Sequence, residues 1–258
     1  MNWERELIVS KEAAMEAGKA IMEVYHAENV HVEYKDDRSP LTEADRRANQ
    51  IIVDRLSKEF PEYAILSEEG KDSGERLRND YCFVVDPLDG TKEFLKRNGQ
   101  FTVNIALAYK GKPVMGVIYV PVTGELYWAS EKSGAFLTVN GETKQIHVSD
   151  RKKDIRVVMS NSHGCAEMDR LIEKNNLVNH VKVGSSLKGC MVAKGDAEIY
   201  YRFNPTMEWD TAAMQCIAEE AGAIFRQMDD MDMRYNREDC VNRKGFYIIN
   251  CPENKMGW

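Results

Sequence analysis

No Cys-x-x-Cys pair and no paired zinc-ligand spacing occurs in the 258 residues, although six cysteines are present. Cys82 lies in an apolar strand-like run and Cys190 and Cys216 in helix-like ones, with Cys165, Cys240 and Cys251 scattered elsewhere. All six are expected to be reduced thiols rather than disulfides or metal ligands. No apolar run approaches the roughly 20 residues that a bilayer span requires. The segment Met1–Glu6 lacks the apolar core of a signal peptide, so a cytoplasmic protein is expected; peripheral contact with the inner membrane is compatible with the sequence. Positive charge is also short: 35 Lys and Arg face 42 Asp and Glu, a net charge of -7. That balance excludes general binding of a nucleic acid polymer, which needs a basic face. Internal repeats, low-complexity tracts, a Pro/Gly/Ser-rich linker and an activated Ser or Cys nucleophile motif are missing as well.

What the chain has instead is acids in suggestive positions. Ser67-Glu68-Glu69-Gly70 is followed by Val84-Val85-Asp86-Pro87-Leu88-Asp89-Gly90-Thr91, and much later by Glu208-Trp209-Asp210-Thr211-Ala212-Ala213. Carboxylates at the end of an apolar run, followed by Gly-Thr at a helix start, suit a hard divalent cation together with a phosphate. Pro87 stiffens the turn after a buried strand, and the Leu88 carbonyl lies between two acids three residues apart. The N–H groups of Gly90 and Thr91 would open the next helix toward an anion. Plain structural alternatives stand beside this reading: Asp89 as the N-cap of that helix, and Asp45 and Asp210 as first-turn acids favoured by a helix dipole.

Periodicity organises the rest. Trp3–His26 and Thr42–Phe60 read as amphipathic helices, with Thr42 as N-cap and Asp45 at the third helical position. Val30–Tyr34, Ala64–Leu66, Tyr81–Val85, Phe101–Tyr109, Lys112–Val120, Glu125–Trp128 and Gly134–Val139 read as strands. Past Asp150, strands at Ile155–Met159, His180–Val183, Glu198–Tyr201 and Phe246–Asn250 alternate with helices at Cys165–Asn175, Ser186–Lys194 and Trp209–Ala221. The change of texture divides the chain into an N-terminal α+β half, 1–145, and a C-terminal α/β half, 146–258. The acidic Met228–Met233 run reads as a solvated turn.

Taken together, Lys35-Asp36-Asp37-Arg38-Ser39-Pro40-Leu41-Thr42-Glu43-Ala44-Asp45, Glu68-Glu69, Asp86–Thr91 and Trp209–Ala213 resemble, in order and spacing, the inositol monophosphatase superfamily of Mg2+-dependent, lithium-sensitive phosphatases. The continuation Lys92-Glu93-Phe94-Leu95-Lys96-Arg97-Asn98-Gly99, with Gly184-Ser185-Ser186-Leu187-Lys188 and Asn204–Asp210, is similar to the 3'(2'),5'-bisphosphate nucleotidases of bacterial CysQ type. Gly189 after Lys188 departs from the bulkier residue expected there.

The resemblance implies an α/β (α+β) fold, a layered α-β-α-β-α sandwich with the site between the halves. It implies a Mg2+ held by Glu68, Asp86 and the Leu88 carbonyl, and another held by Asp86, Asp89 and Asp210, two or three ions in all, with inhibition by Li+. Asp45 and Thr91 would orient and deprotonate the attacking water, and Gly90 and Thr91 would hold the scissile phosphate beside Glu68, Asp89 and Asp210. Ser162, His163, Gly184 and Lys188 would hold the nucleotide, Lys188 and His163 supplying cations for a second phosphate. The implied reaction is hydrolysis of adenosine 3',5'-bisphosphate (PAP) to AMP and phosphate, with 3'-phosphoadenylyl sulfate (PAPS) as a second substrate, by a monomer or homodimer. The rivals are an inositol or sugar monophosphatase of the same superfamily and a nucleotide-binding regulator without turnover.

Overall fold

The computed structural model describes residues 2–28, 31–35, 40–161 and 164–257. Helix α1 (Glu4–Tyr25) buries Leu7, Ala14, Ala17, Ile21 and Val24 along one face. A short antiparallel ribbon, β1 (Val32–Tyr34) with β2 (Pro40–Thr42), then delivers Thr42 to the start of α2 (Glu43–Glu59). In α2 the buried residues Ala44, Ala48, Ile52 and Leu56 fall four apart, which puts them in one stripe.

Seven strands follow in sequential order: β3 (Ala64–Ser67), β4 (Tyr81–Asp89), β5 (Thr102–Tyr109), β6 (Lys112–Val120), β7 (Glu125–Ser130), β8 (Gly134–Val139) and β9 (Glu142–Ile146). Only β3 and β4 run parallel; the others form an antiparallel meander. A single-turn helix, α3 (Thr91–Leu95), lies between β4 and β5. The remainder alternates: β10 (Arg156–Ser160), α4 (Ala166–Lys174), β11 (Asn179–Val183), α5 (Leu187–Ala193), β12 (Ile199–Arg202), β13 (Thr206–Met207), α6 (Glu208–Glu220), β14 (Ile224–Gln227), β15 (Val241–Asn242) and β16 (Phe246–Ile249). Five of these strands form a second sheet in the order β11-β10-β12-β16-β14, its first three strands parallel.

Alternation along the strands sorts the core into layers. Phe83, Val85, Val103, Ile105 and Leu107 pack against α1 and α2. Cys82, Val84, Ala106, Ala108 and Ile118 face the other way, toward α5 and α6. Beyond those two helices come Val158, Tyr200, Phe225, Phe246 and Ile248 of the second sheet, whose far face packs on Met168 and Leu171 of α4. The order is therefore helix, sheet, helix, sheet, helix. Small residues set the middle spacing: a methyl group on Gly116 of β6 would lie 2.6 Å from the Ala213 carbonyl oxygen of α6. Gly189, where a larger residue was expected, is where α5 crosses α6, and Met214 takes the space a side chain would need.

Several short strands escape the sequence patterns. Strand β9 (Glu-Thr-Lys-Gln-Ile) is exposed at its first four residues and carries no alternation, so it was read as a boundary rather than an edge strand. Strand β14 and the two-residue ribbon of β13 with β15 are too short to show a period. Among the described residues all six cysteines are free, and no helix is long and apolar enough to cross a membrane. The acids of the Met228–Met233 turn are paired, Asp229 with Lys244, Asp230 with Lys255 and Asp232 with Arg226.

Candidate active site

The acids meet where β3 and β4, the parallel pair, end. On a regular strand two residues three apart point to opposite faces. Between Asp86 and Asp89 the register slips: Asp86 pairs with Asn104 and Asp89 with Thr102, three steps on β4 against two on β5. This extra residue is a bulge, and it turns both carboxylates to one side. Pro87 and Leu88 occupy it, and the Leu88 N–H donates to Asp86 Oδ1 at 3.1 Å. Asp210, in the first turn of α6, joins them; carboxylate oxygens of Asp86, Asp89 and Asp210 lie within 4.8 Å of one another.

Each carboxylate is oriented by its own donors. Asp89 Oδ2 accepts from the Ser186 N–H and hydroxyl at 2.6 Å each, from Asn104 Nδ2 at 3.2 Å and from the Thr102 hydroxyl at 3.4 Å. Asp210 Oδ2 accepts from the Met207 N–H at 2.7 Å. In both, the second oxygen accepts no hydrogen bond among the described residues. The N-cap of α3 is Gly90, at φ 96°, so Asp89 does not cap that helix. Asp45 does contribute to a cap: Oδ2 accepts from the Thr42 N–H at 2.7 Å and the Thr42 hydroxyl at 2.6 Å, while Oδ1 accepts from the Thr91 hydroxyl at 3.1 Å. Glu68 and Glu69 both hold Lys35, whose Nζ lies 2.8 and 2.6 Å from their nearer oxygens.

Crowding this many acids has an electrostatic cost. Burial, then the neighbouring charges of Glu68, Asp89 and Asp210, push the Asp86 carboxyl well above the usual range. Burial and Asp89 push Asp210 up to about 7. Burial also raises Asp45, against the hydrogen bonds from Thr42 and Thr91. A divalent cation among these oxygens would relieve the repulsion, and the donor set fits one: carboxylates and a carbonyl, without imidazole or thiolate, are hard-ion ligands.

The acids form one wall of a cleft of about 260 Å³. Glu68, Asp86, Leu88, Asp89, Gly90, Thr91, Gly184, Lys188 and Asp210 all line it, and Asp45 sits behind Thr91. Ser162 and His163 lie outside the described residues. Two buried or half-buried cations, Lys188 and Arg202, share the cleft with the acids. Lys188 is buried to 7% exposure, its Nζ donates to the Ser185 carbonyl at 2.6 Å, and burial lowers its pKa to about 8. Arg202, at the end of β12, also lines the cleft, and its buried Nε has no hydrogen-bond partner among the described residues. Sequence reasoning passed over Arg202 and Ser186. Arg202 ends a short Ile-Tyr-Tyr-Arg run with no motif around it, whereas Ser186 lay inside a quoted motif and only its reach to Asp89 was hidden.

The chain matches the family model described as "Inositol monophosphatase family" over residues 2–250. It is 43% identical over 237 residues to the 3'(2'),5'-bisphosphate nucleotidase CysQ of Escherichia coli O157:H7, covering 91% of this chain and 96% of the relative. Among solved structures it is similar to CysQ from Bacteroides thetaiotaomicron, with 40% identity, a TM-score of 0.85 and coverage of 95% and 97% of the two chains. An inositol monophosphatase from Anabaena is similar at 26% identity and a TM-score of 0.78, covering 97% of this chain and 92% of that one.

Proposed function

This chain belongs to the inositol monophosphatase family, and on that premise we propose that it is a 3'(2'),5'-bisphosphate nucleotidase. It hydrolyses PAP to AMP and phosphate, accepts PAPS as a second substrate, and so serves sulfur assimilation and nucleotide recycling. The family is metal-dependent. The observation that carries the reading is the presence, in one cleft, of an acid cluster together with the cations Lys188 and Arg202. A monophosphate substrate whose charge is met at the acid cluster has no use for those further cations; a bisphosphate does.

Glu68, Asp86, the Leu88 carbonyl, Asp89 and Asp210 would hold two or three Mg2+ ions. When bound, the metal neutralises phosphate oxygens, makes water a stronger acid and stabilises the leaving alkoxide. The chain's own residues do the rest. The Thr91 hydroxyl, by donating its proton to Asp45, is left with lone pairs that can take a proton from the attacking water. Burial makes Asp45 a stronger base than an ordinary carboxylate, suited to receive the proton relayed through Thr91 Oγ1. Gly90 takes the positive φ that the turn requires and packs closely on Gln100 and Ser185, and its backbone N–H, at the cleft lining, would donate to the scissile phosphate. Lys188 and Arg202 hold the 5'-phosphate, which fixes the nucleotide so that its 3'-phosphate meets the acids. Li+ inhibits by competing for a metal position.

The test is phosphate release with Mg2+ from PAP, 3'-AMP and inositol 1-phosphate. PAP is expected to give the highest kcat/KM. No release from PAP together with good cleavage of inositol 1-phosphate would assign a sugar-phosphate monoesterase instead, and tight PAP binding without turnover would assign a regulator.

A further inference from the structure

One side-chain oxygen ties the two sheets together at the edge of the cleft. Gln100 stands between α3 and β5, its backbone N–H donating to Asn98 Oδ1 at 3.0 Å. Its Oε1 accepts from the Gly184 N–H at 2.9 Å and from the Asn161 side-chain amide. Asn161 follows the last residue of β10 and Gly184 the last residue of β11. These strands run parallel, with Ser160 opposite Val183, so a single acceptor holds the carboxyl ends of two neighbouring strands. In open α/β sheets those ends carry ligand contacts. The fit is close: a methyl group on Gly184 would lie 2.8 Å from the Gln100 carbonyl oxygen and 2.7 Å from Glu93 Cγ.

Resting on the nucleotidase reading above, we propose that Gln100 is a positioning residue that sets the distance between the half of the cleft that cleaves the phosphate and the half that holds the nucleotide. It acts through Gly184 and Asn161 and touches neither substrate nor metal. The segment that begins at Gly184 reaches both halves. Ser185, at φ 48°, presents the carbonyl that holds Lys188, and Ser186 holds Asp89. Asp89 has further donors in Thr102 and Asn104, so it keeps its orientation when Gly184 is released. Among the described residues the Lys188 ammonium donates only to the Ser185 carbonyl, which stands next to Gly184. Loosening Gly184 therefore alters the reach of Lys188 and leaves the acid cluster in place. A substrate with phosphates in both halves feels that change, whereas one with only the scissile phosphate does not.

Two variants isolate the acceptor. Gln100→Met keeps the length of the side chain and removes the acceptor, while Gln100→Glu keeps an oxygen for both N–H donors. For Gln100→Met the KM for PAP should rise about tenfold, the equivalent of roughly one lost hydrogen bond. Its kcat for PAP and its KM for 3'-AMP should stay within about twofold, and the Gly184 amide should exchange with deuterium faster than in the wild type. Gln100→Glu should return all of these to within about threefold of wild type. Equal changes in KM for PAP and 3'-AMP, or unaltered Gly184 exchange in Gln100→Met, would overturn the proposal. A wild-type enzyme that leaves PAP intact would count against the nucleotidase reading alone, because Gly184 exchange still decides whether the clasp exists.

Discussion

Asp45 gives one carboxylate oxygen to Thr42 and the other to Thr91, so one side chain serves the helix cap and stands one hydroxyl away from the cleft. It closes the first turn of α2 and it faces the cleft through a hydroxyl. Asp45→Asn separates the two. An amide can still accept from Thr42 with its remaining oxygen, but its NH2 then faces Thr91 and cannot take a proton. Turnover should fall about 10²- to 10⁴-fold, the usual worth of a general base. Unfolding measured by urea should move by only about 1 kcal/mol. Lys188 offers a second check, through pH. Its ammonium is charged below its lowered pKa of about 8 and neutral above it. The KM for PAP should therefore climb as pH rises through about 8, while that for 3'-AMP changes little. The acids were legible in the sequence through their combined order and spacing, since each alone also suits a turn or the first turn of a helix. Lys35, Gln100 and Arg202 were not, because Lys and Arg are mostly surface residues and Gln is common in loops. Their roles exist only once chain-distant partners arrive.

The elements themselves fix how far the acids stand apart. The bulge at Pro87-Leu88 brings Asp86 and Asp89 to one side of β4, and α6 carries Asp210 against that sheet through the gap at Gly116. Gly116→Ala would meet helix backbone, which cannot yield locally. It should cost about 2 kcal/mol in urea denaturation and weaken metal binding, because Asp210 moves with α6. Gly189→Ala meets the flexible end of Met214 instead and should cost about 1 kcal/mol or less. The reverse ranking would show that α6 is not held by the sheet. Most strands and helices were readable in the sequence: α1 and α2 each bury one face, while β4, β5 and β6, buried on both, are apolar runs bounded by turn residues. Edge strand β9 was not, because a polar strand at the end of a sheet buries too little to leave a pattern. The start of α3 falls at Gly90-Thr91 as the sequence suggests, and the alternative of Asp89 as its side-chain cap fails because the Ser186, Thr102 and Asn104 donors hold that carboxylate.

For the whole molecule the acid cluster is a source of instability that a divalent cation bound there would remove. The carboxyls of Asp86 and Asp210 have raised pKa values in the metal-free fold. Such groups favour the folded state below the unfolded carboxylate pKa and lose that contribution as pH rises through the folded one, about 7 for Asp210. The metal-free protein should thus lose stability between about pH 5 and pH 8. Magnesium at about 100 times its Kd should add about 2.7 kcal/mol, roughly 5–10 °C in Tm, and this gain should widen as pH rises. A chelator scan of Tm at several pH values measures it; a gain that shrinks with pH would remove these acids from the metal site.

The middle layer has a further consequence, for the timing of synthesis. The ribosome makes Asp45, Glu68, Asp86 and Asp89 early, together with every strand of the first sheet. The helix that bears Asp210, and that covers the sheet's second face, comes near the end. A nascent polypeptide accordingly bears most of the acids while remaining inert, with an uncovered apolar face that chaperones can hold. Asp210 joins the other acids only when that helix docks.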